Sequence, residues 1–264
     1  MRTTINTLLK MYENGEKFTV LTCYDALFAK LLEDCGVDVL LVGDSLGNVI
    51  QGKETTLSVT LENMIYHTHC VARGADKAFI MVDMPFGTSQ LSPERTFENA
   101  SQIMAAGAQM VKIEGGRIMA ETIQYLTQRG IPVCAHIGLM PQSIHQLGGY
   151  KIQGNTEIAA KMLLEDAKIL EESGANLLLM EAIPAKLAKQ ISEILSIPTI
   201  GIGAGADCSA QVLVLHDMLG LYQGKKSKFI KNFMEESHTI EDAVRNYVKA
   251  VNTSQFPDSE HEFH

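Results

Sequence analysis

Seven apolar runs in this chain end on residues able to do chemistry, at the intervals that a repeated strand-and-helix unit would give. Val39 to Gly43 runs into Asp44-Ser45, Phe79 to Val82 into Asp83, and Met110-Val111 into Lys112-Ile113-Glu114. Further along, Val133 to Ala135 leads into His136, Leu177 to Met180 into Glu181, and Thr199-Ile200 into Gly201-Ile202-Gly203-Ala204-Gly205. Val212 to Leu215 closes the series at His216-Asp217. Near-continuous apolar runs are the mark of parallel strands buried on both faces. If such a sheet closes into a barrel, polar groups at its strand ends share one mouth. Four carboxylates, one lysine and one histidine would then meet in a single pocket.

The spacing predicts a (β/α)8 TIM barrel in one domain, residues 1–252, followed by a polar, disordered tail over 253–264. The length of 264 residues suits that fold. Helical spacing over 5–13, stopped near Asn14-Gly15, predicts a helix that closes the barrel bottom. Phe18 to Cys23 reads as the first strand, with helices to follow at 26–34, about 60–72, 93–106, 117–129, 156–172 and 184–195. Ser92-Pro93-Glu94 supplies a cap and an N-terminal proline for one of these. Glu157, Lys161 and Glu165 fall on one wet face of another. Strand and helix thus alternate about eight times. The stretches Ser45 to Thr60 and Gly138 to Gly154 are long for barrel loops, which marks them as functional lids.

The net charge of −9, with no basic cluster, argues against nucleic acid or an anionic membrane as partner. An anionic substrate would need a local cation. The five cysteines form no C-x-x-C pair and mostly sit in apolar segments, as buried thiols in a reducing compartment do. The N-terminus has no apolar signal-peptide core, and no run approaches the roughly 18 apolar residues of a membrane span. A cytoplasmic protein is expected.

Asp44, Asp83 and Glu114 end successive strands, and like charges that close must share a cation or take up protons. Oxygen-only ligation points to Mg²⁺, although each acid alone could simply cap the next helix. Lys112 and Glu114 share a strand face, so the lysine can hold a carboxylate or enolate oxygen, form a structural salt bridge, or act as a Schiff base. Glu181, across the mouth and among apolar neighbours, is placed as a general base or as a helix cap. His136 could donate to an oxyanion or bond a carboxylate. His67 and His69 lie on a predicted helix and read as surface or lid-packing residues. The glycine run from Gly201 could bind phosphate or merely permit close backbone approach.

Asp44-Ser45-Leu46-Gly47-Asn48-Val49, Thr56 to Thr60, Met64 to Thr68, Asp83-Met84-Pro85-Phe86 and Val111 to Gly116 resemble the ketopantoate hydroxymethyltransferase family. So do His136 to Ser143, Leu147 to Tyr150, Glu181-Ala182-Ile183-Pro184 and the glycine run. The resemblance covers nearly the whole chain. Departures at Asn48, Ser58, Gly87-Thr88, Met140 and Ser209-Ala210 fall mainly in loops. The resemblance implies transfer of a hydroxymethyl group from 5,10-methylenetetrahydrofolate to 3-methyl-2-oxobutanoate, giving 2-dehydropantoate on the way to pantothenate and coenzyme A. It further implies one Mg²⁺ per subunit held by Asp44, Asp83 and Glu114, directly or through water. Asp44, Ser45, Asp83, Lys112 and His136 would bind the 2-oxo acid, and Glu181 would take its C3 proton. A homo-oligomer, built as a decamer, is implied as well. A lyase or mutase of the phosphoenolpyruvate mutase and isocitrate lyase type is the alternative, but its Lys-Lys-Cys-Gly-His loop does not occur here. A metal-free Schiff-base aldolase and a non-catalytic binding barrel are the other classes to test.

Overall fold

The computed structural model describes residues 2–221 and 227–264. The first helix, α1 (Ile5–Glu13), precedes strand β1 (Phe18–Thr22), α2 (Ala26–Asp34), β2 (Val39–Val42) and the short α3 (Leu46–Val49). Then follow α4 (Leu61–Gly74), β3 (Phe79–Asp83), α5 (Pro93–Ala105), β4 (Met110–Glu114), α6 (Ala120–Thr127), β5 (Val133–Gly138) and a second short helix, α7 (Ile144–Leu147). The chain continues through α8 (Glu157–Glu172), β6 (Leu177–Glu181), α9 (Ala185–Ile194), β7 (Thr199–Ile202), β8 (Ala210–Leu213), α10 (Leu215–Met218) and α11 (Ile240–Asn252). All eight strands pair in parallel and in sequence order, and β8 closes on β1 with Phe18 opposite Ala210 and Leu21 opposite Leu213. This is the expected TIM barrel.

The period of two along each strand sorts the apolar runs into two cores. Val20, Val39, Leu41, Phe79, Met81, Met110, Cys134, Leu177, Leu179, Ile200 and Val212 fill the barrel interior. Leu8 of α1 joins them from below, so this helix does close the bottom, and its neighbours Ile5 and Met11 pack there as well. Leu40, Val42, Ile80, Val82, Val111, Ile113, Ala135, Leu178 and Met180 face outward onto the helices. Side-chain caps begin several helices as the sequence predicts. Ser92 accepts from Arg95 N ahead of Pro93, and Thr60 and Asn63 form a reciprocal capping box.

Two expectations change, and the long loops prove structured. No helix connects β7 to β8; residues 203–209 cross directly, so the strict alternation fails at that point. The two long loops are not plain coil, since they carry α3 and α7 with short 3₁₀ turns at Thr56–Ser58 and Pro141–Ser143. The segment 253–264 is not a disordered tail. Phe256 is 3% exposed and meets the rings of Phe233 and Tyr247 edge-on, while the Phe263 carbonyl accepts from Ala185 N at 2.8 Å. Two aromatic side chains in an otherwise polar stretch give it enough apolar surface to dock.

All five cysteines are free, and four are buried. No helix among the described residues is long and apolar enough to cross a membrane.

Candidate active site

The same period of two that builds the interior core carries polar side chains inward at its upper end. Above Met81 comes Asp83, above Met110 come Lys112 and then Glu114, above Cys134 comes His136, and above Leu179 comes Glu181. Register sets Asp83 beside Lys112 and Glu114 beside His136. Asp44 follows β2 by two residues, and its backbone N–H donates to Asp83 Oδ2 at 2.9 Å. These six side chains line one cavity of about 1170 Å³. Its floor and lower wall are Thr22, Leu41, Leu179, Ile202 and Val212, an apolar surface with little to offer a charged group.

Lys112 is the buried cation at the centre. Its Nζ lies 3.1 Å from Asp83 Oδ1 and 3.1 Å from His136 Nδ1. Burial alone would depress the ammonium, but Asp83, Glu114 and Asp44 together outweigh that and hold it above its ordinary pKa. An ammonium can only donate, so His136 Nδ1 must accept. Burial, reinforced by Lys112, holds His136 well below the usual imidazole range, so the ring is neutral. Its single proton therefore sits on Nε2, which faces Glu181 Oε2 at 3.4 Å without completing a hydrogen bond.

Burial pushes the Asp44 carboxyl up to about 7, with Asp83 adding to the effect. Burial likewise holds Glu114 well above the carboxylate range, with Asp44 and Asp83 contributing. The Glu181 carboxyl is pushed up to about 8 by burial, with only partial relief from Lys112. Four inward carboxyls against one ammonium leave this pocket short of positive charge.

Among the described residues, no group of three or more His, Cys, Asp or Glu side chains is close enough to form a ready-made metal cage. The donor set nevertheless fits Mg²⁺, which is usually held by one or two carboxylates together with water and substrate oxygens. Glu114 Oε1 is buried with no hydrogen-bond partner, and the donors are hard oxygens. Asp44, Asp83 and Glu114 are the residues that would hold such an ion, directly or through water.

Ser45 lines the cavity and shares a 2.9 Å hydrogen bond with the buried Tyr24 hydroxyl, which in turn donates to Thr22 Oγ1 at 2.9 Å. The turn after β6 is special: Ala182 has φ +48, a left-handed conformation that a side chain rarely adopts, directly after Glu181. Gly138 sits opposite at φ +92, where a Cβ would run into the Glu181 carbonyl. The glycine run after β7 serves close approach: a Cβ on Gly203 would lie 2.7 Å from the Phe229 ring. His67 and His69 lie on α4, where His67 Nδ1 is 2.7 Å from the Tyr24 carbonyl and His69 is exposed.

The structure brings together all the residues that the sequence singled out for the site. It also adds residues that sequence reasoning missed. Gln142, in the 3₁₀ turn after β5, is buried against Asp44 and Glu114. Phe229 and Phe263 form part of the outer wall, with their rings edge-to-face at 6.3 Å. Gln142 lies within the segment that carried the resemblance, but nothing in its type or spacing marks its partners.

A family model described as ketopantoate hydroxymethyltransferase matches residues 2–259. The chain is 67% identical over 263 residues to a Nitrosospira multiformis protein named 3-methyl-2-oxobutanoate hydroxymethyltransferase, with all of both chains covered. A Chromobacterium violaceum protein of the same name is 58% identical, again over the full length of both. Among solved structures, a 2,3-dimethylmalate lyase of the PEP mutase/isocitrate lyase superfamily aligns at a TM-score of 0.62 with 18% identity, covering 83% of each chain. A phosphonopyruvate hydrolase aligns at 0.61 with 15% identity, covering 80% of this chain and 81% of that one. At such identities the two structures are similar in fold alone.

Proposed function

The chain belongs to the ketopantoate hydroxymethyltransferase family, and from that premise we propose that it moves a hydroxymethyl group from 5,10-methylenetetrahydrofolate to C3 of 3-methyl-2-oxobutanoate. Water is consumed, and 2-dehydropantoate and tetrahydrofolate leave. The observation that carries this reading is one cavity pairing a carboxyl held near neutrality, Glu181, with a buried ammonium, Lys112. The first is suited to take a proton from carbon, and the second to hold an anion.

Lys112 would receive the substrate carboxylate, helped by the backbone N–H of Ser45, whose hydroxyl proton goes to Tyr24 as Tyr24 donates to Thr22. The branched alkyl end would lie on Leu41, Leu179 and Val212, a wall that accepts it without stranding a polar group. That pose turns C3 toward Glu181. The neutral His136, anchored by Lys112, turns Nε2–H toward Glu181 Oε2 at 3.4 Å, where it can bond the carboxylate as it forms. Glu181 then removes the C3 proton, and the resulting carbon nucleophile attacks the one-carbon unit at the open side of the cavity. Water breaks both bonds of that unit to the folate nitrogens to free it at the formaldehyde level, the folate leaves as tetrahydrofolate, and the new alkoxide takes up a proton. Asp44, Asp83 and Glu114 would hold Mg²⁺, directly or through water, and the ion would supply Lewis-acid polarisation of the substrate's keto oxygen. The proposal includes one such ion per subunit, a cytoplasmic location consistent with five free cysteines, and assembly as a homo-oligomer, a decamer by the family resemblance.

The test follows the C3 proton of 3-methyl-2-oxobutanoate by NMR in D₂O, with and without Mg²⁺, and then adds 5,10-methylenetetrahydrofolate. Mg²⁺-dependent exchange followed by 2-dehydropantoate is expected. A protein that binds the 2-oxo acid yet neither exchanges C3 nor forms product would overturn the reading in favour of a binding barrel.

A further inference from the structure

Gln142 ties together three parts of the site that are far apart in sequence. Its Nε2 donates to Asp44 Oδ2 at 2.9 Å and to the Met84 carbonyl at 2.9 Å, while its backbone N–H donates to Glu114 Oε2 at 3.0 Å. The side chain is buried, at 6% exposure. The direction of its amide is settled by its neighbours. Gln90 Oε1 accepts from the backbone N–H of Gly87 at 2.8 Å and of Ser89 at 3.3 Å, which leaves Gln90 Nε2 to donate to Gln142 Oε1 at 3.2 Å. Gln142 Oε1 is thereby committed, and its Nε2 must face Asp44 and the Met84 carbonyl, the second of which can only accept.

From this network we propose that Gln142 is a positioning residue of the site. It fixes one oxygen of Asp44 through its carboxamide and one of Glu114 through its backbone N–H, on either side of β3, so that each carboxylate presents its other oxygen in a set direction to a divalent cation. Glu114 Oε1, the oxygen that Gln142 leaves over, has no hydrogen-bond partner. A carboxamide is the side chain that can serve Asp44 and the Met84 carbonyl together. Glutamate would set an acceptor against two acceptors, and an aliphatic chain would leave a buried carboxylate oxygen and a buried carbonyl unpaired. The same contacts couple the loop after β5, whose Leu139, Pro141 and Tyr150 line the cavity, to the carboxylates beneath it.

The proposal rests on the divalent-cation reading above, and the experiment separates the two. Mn²⁺ binding to the substrate-free protein is measured by electron paramagnetic resonance for the parent, Gln142→Met and Gln90→Ala, with thermal unfolding of each recorded without metal. Gln142→Met should weaken Mn²⁺ by about ten- to a hundredfold, the usual effect of losing a group that orients a metal ligand. Gln90→Ala alters an exposed side chain that touches no carboxylate, so it should fold normally and weaken Mn²⁺ a few-fold by releasing the amide. If Gln142→Met fails to fold, Gln90→Ala decides alone. Parent-like Mn²⁺ affinity in the folded variants, whatever their unfolding temperature, overturns the proposal and leaves the cation reading standing. No Mn²⁺ binding by the parent overturns both.

Discussion

Replacing Glu181 by glutamine separates proton removal from binding at this site. Glutamine keeps the volume and still offers an oxygen to His136 Nε2–H, but it cannot take a proton from carbon. Lys112, Ser45 and the apolar wall are untouched, so affinity for the 2-oxo acid should stay near that of the parent. The structure also sets a pH signature. A carboxyl pushed up to about 8 is about one-tenth ionised at pH 7 and about nine-tenths at pH 9. C3 exchange in the parent should therefore rise roughly tenfold over that range at low Mg²⁺ occupancy. A dication in the same cavity favours the ionised form, so the rise should move to lower pH as Mg²⁺ increases. In Glu181→Gln, exchange should fall by at least about a hundredfold and lose this dependence. The assay is NMR loss of the C3 proton signal in D₂O, alongside calorimetric binding of the 2-oxo acid. Exchange at the parent rate in the variant, with Mg²⁺ bound, would refute the assignment of Glu181 as the base.

Lys112→Ala should raise KM for the 2-oxo acid by roughly tenfold or more, the scale of a charged hydrogen bond at about 1.5–3 kcal/mol. Borohydride treatment of the parent with substrate should yield no adduct by mass spectrometry, and a trapped adduct at Lys112 would replace this mechanism with a Schiff base. Asp83→Asn should weaken Mg²⁺ binding in calorimetry, and exhaustive chelation of the parent should abolish product formation until Mg²⁺ or Mn²⁺ is returned. The metal-free protein should lose stability as pH rises. Asp44, about 7 in the fold, and Glu114, also raised, keep protons that the unfolded chain has already released, so between about pH 4 and 7 the folded state binds more protons and unfolding becomes easier, by roughly a few kcal/mol. Scanning fluorimetry in EDTA should show a lower midpoint at pH 8 than at pH 5, and Mg²⁺ should flatten the difference; a midpoint that rises over this range contradicts the buried-carboxyl account.

The barrel was legible because parallel strands buried on both faces leave continuous apolar runs, and this chain has eight of them, most separated by a helical pattern. Local signals located helix ends as well: Ser92-Pro93 starts α5 and Gly174 follows α8. The failures have physical causes. A turn of seven residues between β7 and β8 carries no pattern of its own, so periodicity elsewhere suggested a helix that the chain omits. Residues 253–264 are polar on average, yet Phe256 and Phe263 pack their rings against the body of the protein. An average over composition cannot see two side chains that dock on partners fixed by the tertiary fold.

The site divides along the same line. Asp83, Lys112, Glu114, His136 and Glu181 were legible because strand geometry forces them: a polar residue in register with interior positions has nowhere to point but the mouth. Gln142 and the tautomer of His136 obey no such local rule. Gln142 reaches Asp44 across 98 positions of sequence, from a turn where any of several side chains would suit the backbone. The His136 proton lies on Nε2 only because the ammonium of Lys112 occupies Nδ1, a fact of three dimensions and of charge together. What sequence pattern supplies here is the set of chemical groups. Which oxygen is free and which nitrogen carries the proton are decided by neighbours brought in from other strands and loops, and those assignments separate a working base from a buried acid.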